Sequence, residues 1–212
     1  MMMDNPAGNR NKDRILEVMK KYIITEKPYD LLEISSGPGL HASYYAEQFP
    51  NLTIQPSEFM KEFFPSIEAY RENCKSKNVL KPVYIDIRLD LKDWDAKFGE
   101  KDLKNCENSF DFMLSINMIH ISSIECSQGL FRNSSKLLKP GGLLFTYGTY
   151  KTNGILEPLC NLLFDQSLRR NDSNWGVRDI LELESFAKEN SMELFASYEL
   201  PLANKCLVWR KH

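Results

Sequence analysis

The 212-residue chain predicts an α/β fold: a parallel sheet wound by helices and finished by an antiparallel strand pair. Three observations carry that expectation. Short apolar runs alternate with helix-period segments as far as Tyr150, the pattern of strand–helix–strand units. The first apolar run leads into a glycine turn, Ser35-Ser36-Gly37-Pro38-Gly39, followed at once by a helix start. The last two strand-like segments are separated by a turn too short for a crossover helix, so they must run antiparallel.

The elements follow in order. Asn11–Thr25 reads as a helix, because Ile15, Met19 and Ile23 recur on one face with Leu16 beside them. Asn9 or Asn11 can cap it, and Pro28 ends the segment. Residues 1–9 are small or polar and are expected to be disordered. Asp30–Ser35 is the first strand and Leu40–Phe49 the first crossover helix. Leu52–Gln55 is a short second strand stopped by Pro56, and Glu58–Lys75 is the next helix. Pro82–Ile87 is a third strand. Phe110–Ile116 is a nearly unbroken apolar run, as expected of a strand covered on both faces. Ser122–Leu138 is a helix ended by Lys139-Pro140-Gly141-Gly142, and Leu143–Tyr147 is the fifth strand. Beyond Tyr150 two helices, Gly154–Arg170 and Val177–Asn190, flank a polar loop. Met192–Leu200 and Lys205–Arg210 form the antiparallel pair. Residues 10–212 are expected to be one domain, with the stretch around 150–179 inserted as a cover over the substrate region.

Composition narrows the function classes. Hydrophobic residues make up 42% and charged residues 26%, with a net charge of −2. No basic stripe signals nucleic acid and no apolar run spans a membrane. Nothing at the start of the chain resembles a signal peptide. The five cysteines are scattered without a CxxC pair, which suits a reducing compartment, so a cytosolic or nuclear location is expected. The three histidines lie far apart, giving no metal-site spacing, and no GxSxG elbow is present.

A parallel five-strand sheet finished by an antiparallel pair is the outline of class I S-adenosylmethionine (SAM) methyltransferases. The turn Gly37-Pro38-Gly39-Leu40-His41-Ala42 also satisfies the loose dinucleotide pattern GxGxx(G/A). Glu58 lies roughly 20 residues on, where either cofactor finds an acidic ribose partner. Charge favours SAM. Pro38 removes a backbone donor that a pyrophosphate would want, and Glu33 places a negative charge nearby. A sulfonium and an ammonium would be drawn to that charge. Ser35 stands where many methyltransferase loops carry glycine, so its backbone is expected to accommodate a Cβ comfortably; its hydroxyl serves the cofactor or the loop itself.

In doubly wound sheets ligands lie beyond the carboxyl ends of the strands. Those ends supply Gln55, Ser57 and Glu58, then Asp86 as a partner for the adenine amino group. They also supply Ser115, Asn117 and His120, then Tyr147, Thr149 and Tyr150. Each has a plain structural alternative: Glu58 as a helix-start charge, Asp86 as a turn carboxylate, His120 as a backbone-bonded loop residue. Asn117, His120 and Tyr147 are the candidates for orienting a substrate, with His120 as the base.

The whole chain from Arg10 onward resembles the methyltransferase-like protein 26 family. The resemblance rests on Arg10-Asn11-Lys12-Asp13, Leu32–Ala42, Gln55-Pro56-Ser57 and Ser115–His120. It continues through Gly129–Arg132, Thr146-Tyr147-Gly148, Phe164-Asp165, Trp175–Asp179 and Asn204–Leu207. It implies a SAM-binding fold with an open substrate question. It also implies that Arg10, Asn11, Trp175, Arg178 and Asp179 line the pocket. Glu58 stands where that family usually has Asp, and Ile54 where it often has Trp.

The SAM-site residues expected are therefore Arg10, Asn11, Glu33, Ser35, Gly37, Gly39, Ser57, Glu58, Asp86 and Asn117. Trp175 with Arg169, Arg170 and Arg178 suggests an aromatic and basic lid for a small, anionic or planar molecule, or else a solvated loop. Three function classes are open at this level: an active methyltransferase, an inactive SAM-binding partner module, and a nicotinamide oxidoreductase.

Overall fold

The computed structural model describes all 212 residues. Six helices and seven principal strands alternate as α1 (Pro6–Met19), β1 (Tyr29–Ile34), α2 (Leu40–Gln48), β2 (Leu52–Glu58), α3 (Phe64–Asn73), β3 (Val83–Tyr84), β4 (Phe110–Ile116), α4 (Ile124–Leu137), β5 (Leu138–Gly148), α5 (Leu159–Asn171), α6 (Ile180–Glu189), β6 (Met192–Leu200) and β7 (Asn204–Lys211). The seven-stranded sheet runs in the order β3-β2-β1-β4-β5-β7-β6. Strands β1 to β5 are parallel, and β7 lies antiparallel between β5 and β6. This is the mixed α/β architecture, a mostly parallel sheet finished by an antiparallel pair, that the alternating pattern predicts. No helix is long and apolar enough to cross a membrane.

Both faces of the sheet are covered, which is why its strands alternate between two cores. Leu32, Ile34, Met113, Phe131 and Trp209 belong to one core. Leu31, Tyr45, Phe112, Phe145 and Val208 belong to the other. Successive strand residues point to opposite faces, so Glu33 shares the face of Leu31 and lies toward α1 and α2.

Five expected boundaries are corrected. The first helix begins at Pro6, not Asn11, so part of the stretch expected to be disordered is ordered here. Asn5 caps it by accepting from the Gly8 N–H at 2.9 Å, and proline is suited to the first helical position. Upstream, the Met3 N–H donates to Ser66 Oγ at 2.8 Å.

The second strand runs through Pro56 to Glu58. Pro56 is tolerated because Gln55 Nε2 donates to both Pro56 O (2.9 Å) and Lys81 O (2.7 Å), bridging the place where the ladder lacks an N–H. The third strand keeps only two residues, because the chain beyond it is captured by Asn133 of α4. Asn133 Nδ2 donates to Ile87 O (3.1 Å) and Leu89 O (2.9 Å), and its Oδ1 accepts from the Leu91 N–H at 2.9 Å. The helix expected from Gly154 starts at Leu159, and the one expected from Val177 starts at Ile180, capped by Asp179.

The outer strand β6 is tied to β7 by charge as well as backbone. Glu193 accepts from Arg210 Nε at 3.0 Å, and Glu199 pairs with Lys205.

Gly129 sets how closely α4 approaches this loop: a Cβ built there would lie 2.0 Å from Ile87 O. Gly129→Ala is therefore expected to destabilise the fold by about 2 kcal/mol, through forced displacement of the Ile87 backbone. Thermal unfolding of the variant against wild type checks this, with a lowered midpoint expected.

Candidate functional site

The glycine turn after β1 is held shut by its own chain. The Ser36 N–H donates to Ser57 O (2.9 Å) and the Gly39 N–H to Ser36 O (3.2 Å). The Gly37 N–H donates to Glu58 Oε2 at 2.8 Å, and Pro38 has no N–H to offer. Residues 36–39 thus leave no unpaired amide for a phosphate. Gly37 and Gly39 adopt φ of 54° and 100°, and a Cβ on Gly39 would lie 2.8 Å from Ile67 Cα. Ser35 departs from expectation, because its φ of 58° puts it in the left-handed region, where a Cβ is strained rather than comfortable.

Two expected ligand-binding side chains brace this turn. Ser57 Oγ donates to Glu33 O at 2.6 Å. Glu58 Oε1 accepts from the N–H groups of Phe59 (2.8 Å) and Met60 (3.0 Å), which leaves acceptor capacity mainly on Oε2. Asp86 is gripped by Arg88, whose Nε and Nη2 donate to it at 2.9 and 2.6 Å, and this holds its carboxyl below the usual range.

Glu33 differs from these. Its side chain lies on the α1–α2 face and the residue is 1% exposed, yet Oε2 has no hydrogen-bond partner. Burial, opposed by Ser36 and reinforced by the charge of Glu58, pushes its carboxyl up to about 7.

Beside the turn opens a cavity of about 460 Å³ between α1, α5 and the carboxyl ends of β4, β5 and the β6–β7 turn. Asn117, His120 and Tyr147 all border it, as do Arg10 and Asn11. Asn117 sits at φ 64°, a region asparagine tolerates, and its N–H donates to Tyr147 O at 2.8 Å. His120 is buried in the following turn. Its carbonyl accepts from the Gly176 N–H at 3.0 Å, and its ring meets Phe164 edge-on at 5.2 Å. Burial lowers its pKa to about 4, so the imidazole is neutral at physiological pH. Burial raises the Tyr147 phenol, against hydrogen bonds with Asn11 and Asn204. No group of three His, Cys, Asp or Glu side chains converges on a metal-sized site.

The cavity also involves residues that the sequence reading passed over. Ala7, Arg10, Asn11 and Arg14 share one face of α1 at helical spacing, so Ala7 and Arg14 would have followed from the correct helix start. His41, at the start of α2, is buried with its pKa lowered to about 4 by burial and the nearby Lys12 charge. Its neutral Nε2–H donates to Asn11 Oδ1 at 2.8 Å and so aims that side chain.

Three residues expected to line the pocket do not. Arg178 Nη2 donates to Ser122 O (2.9 Å) and Asn174 O (2.6 Å), and Asp179 caps α6. Trp175 stays off the lining, in the turn that Asp172 closes by accepting its N–H at 3.0 Å. The predicted basic lid is likewise pinned, since Arg169 Nε donates to Asp165 at 3.0 Å. Cations reach the cavity from α1 instead.

Residues 2–211 match the DUF938 family, described as proteins of unknown function. The chain belongs to the DUF938 family. The finer likeness to methyltransferase-like protein 26 rests on the sequence motifs alone. Among solved structures, this DUF938 protein is similar to the PH0226 protein of Pyrococcus horikoshii OT3. That match has a TM-score of 0.72 at 17% identity over 99% of this chain and 93% of the other. An O-methyltransferase family protein from Burkholderia thailandensis superposes with a TM-score of 0.73 at 12% identity, covering 97% of this chain and 57% of that one. The S-adenosylmethionine-dependent methyltransferase SibL gives 0.73 at 13%, covering 97% and 55%. At these identities the likeness is one of fold.

The buried Glu33 carboxylate makes a checkable stability signature for this DUF938 protein. Its folded pKa of about 7 exceeds the ordinary 4.5, so ionisation costs the folded state stability as pH rises through that window. Glu33→Gln is expected to match wild type near pH 4 and to exceed it by about 3 kcal/mol at pH 8. Denaturant unfolding at both pH values checks the sign.

Proposed function

We propose that this protein is a SAM-dependent methyltransferase acting on a small-molecule acceptor held in the cavity. The observation that carries the reading is Glu33, a buried carboxylate whose Oε2 has no hydrogen-bond partner, beside a turn whose own amides are all paired. A phosphate-bearing dinucleotide would meet the negative charge of Glu33 and a turn whose own amides are taken, whereas a cationic, phosphate-free nucleoside would supply the opposite charge that Glu33 lacks. Glu33, Ser35, Gly37 and Gly39 would hold it, with Ser57 and Glu58 shaping the turn and Oε2 of Glu58 available to a ribose hydroxyl. Asp86 stands ready for the adenine edge, sharing its carboxylate with Arg88. Arg10, Asn11 and Asn117 stand where the turn meets the cavity.

Bound there, SAM would supply an activated methyl group to an acceptor lone pair, with a neutral thioether as the leaving group. The chain's own work is alignment and proton handling. Asn117 and Tyr147 orient the acceptor across the mouth of the turn. An imidazole nitrogen of His120, neutral in its buried setting, takes the proton the acceptor loses. Phe164 packs against that ring, the Gly176 N–H holds the His120 backbone, and the small Gly148 leaves the ring room: a Cβ there would lie 3.0 Å from His120 Nδ1.

Calorimetry with SAM, S-adenosylhomocysteine, NAD and NADP tests the cofactor. The two adenosyl ligands are expected to bind and the dinucleotides are not, with SAM affinity rising as Glu33 ionises through about pH 7. Radiolabelled methyl incorporation from a cell extract then separates a working enzyme from a binding module. His120→Ala is expected to lower turnover by about 100-fold or more while S-adenosylhomocysteine affinity holds; unchanged turnover would remove His120 from the mechanism.

A further inference from the structure

The charge around the cavity is one-sided. Arg10 and Arg14 sit one turn apart on α1 and both border it, while no Asp or Glu does. Neither arginine has an ion-pair partner. The acids on the same helix are engaged elsewhere: Asp13 accepts from the Tyr44 hydroxyl, and Glu17 pairs with Lys20 at 2.9 Å. Two like charges at this spacing repel and weaken a helix, so the fold gains nothing from them unaided.

The position of Arg14 separates it from the nucleoside region. Helix α1 runs along α2, with Gly8 against Leu40, Asn11 against His41 and Asp13 against Tyr44. Arg14 is therefore one turn farther from the glycine turn than Arg10. The rest of the lining carries no charge: Phe164, Ile121 and Leu202 give it apolar surface, Asn161 and Asn204 are neutral amides, and His120 is neutral.

We propose that this cavity seats an anionic small molecule with an apolar body, its carboxylate or phosphate on Arg14 with Arg10 beside it. Resting on the methyltransferase reading, this molecule is the methyl acceptor, its nucleophilic atom turned toward His120. A planar guanidinium suits either anion through paired N–H donors. The anion also offsets the positive charge that His120 acquires on taking a proton.

The test is calorimetry on the full-length protein and its Arg14→Gln variant, a change at an exposed helix position. The probes are benzoate, phenyl phosphate and benzamide as their neutral counterpart, with S-adenosylhomocysteine titrated separately. Wild type is expected to bind benzoate or phenyl phosphate at least ten-fold tighter than benzamide, and the tighter anion names the group. Arg14→Gln is expected to shrink that preference below two-fold while S-adenosylhomocysteine affinity stays within two-fold. Absence of any preference, or a preference that survives in the variant, overturns the proposal. An equal loss of S-adenosylhomocysteine affinity also overturns it, by assigning Arg14 to the nucleoside's own carboxylate. Preference for the anions without any nucleoside binding would instead overturn the methyltransferase reading and leave the anion seat standing.

Discussion

The carboxyl edge of the sheet is organised by one carboxylate clamped onto backbone. Glu58, at the end of β2, takes amide protons from Gly37 in the turn after β1 and from Phe59 and Met60 in its own loop. Charge-assisted bonds of this kind are the stronger ones, and a buried carboxylate deprived of them would be costly. Fixing Gly37 fixes the turn, the turn sets where α2 begins, and α2 carries His41, which aims Asn11. A chain of contacts thus links a strand end on one side of the site to a helix face on the other.

Charge is then divided in space. Around the turn the side chains are acidic, Glu33 and Glu58, while around the cavity they are cationic, Arg10 and Arg14. The net charge of −2 conceals this division, because a sum over the sequence says nothing of where each charge lies. The arrangement suits two ligands of opposite character meeting between Asn117 and Tyr147.

Much of the architecture was legible because it depends on short-range pattern. The buried run Phe110–Ile116 matches β4 to the residue, and the short C-terminal turn dictated the antiparallel pair. The cavity trio was legible for a topological reason: strand ends in a parallel sheet share one edge. What escaped depended on side chains acting at long range. Asn133 shortens β3 from more than forty residues away, and Gln55 repairs the gap that Pro56 leaves, so local propensity misjudged both strands. The start of α1 lies earlier than the periodicity shows because its first turn, capped by Asn5 and opened by Pro6, carries little hydrophobic signal. Trp175, Arg178 and Asp179, which the family resemblance places in the pocket, lie off it because Arg178 and Asp179 bind backbone carbonyls and amides, partners that motif likeness does not reveal.

The pairing of β6 to its single neighbour has a colloidal consequence. An open strand invites a second molecule to extend the sheet, and β6 is such a border. A copy laid antiparallel along it and centred near Ala196 would bring Glu193 opposite Glu199, setting like charges in register. Each would have to loosen from Arg210 or Lys205 to relieve the repulsion. Glu193 and Glu199 therefore act as gatekeepers, discouraging stacked fibrils along this border.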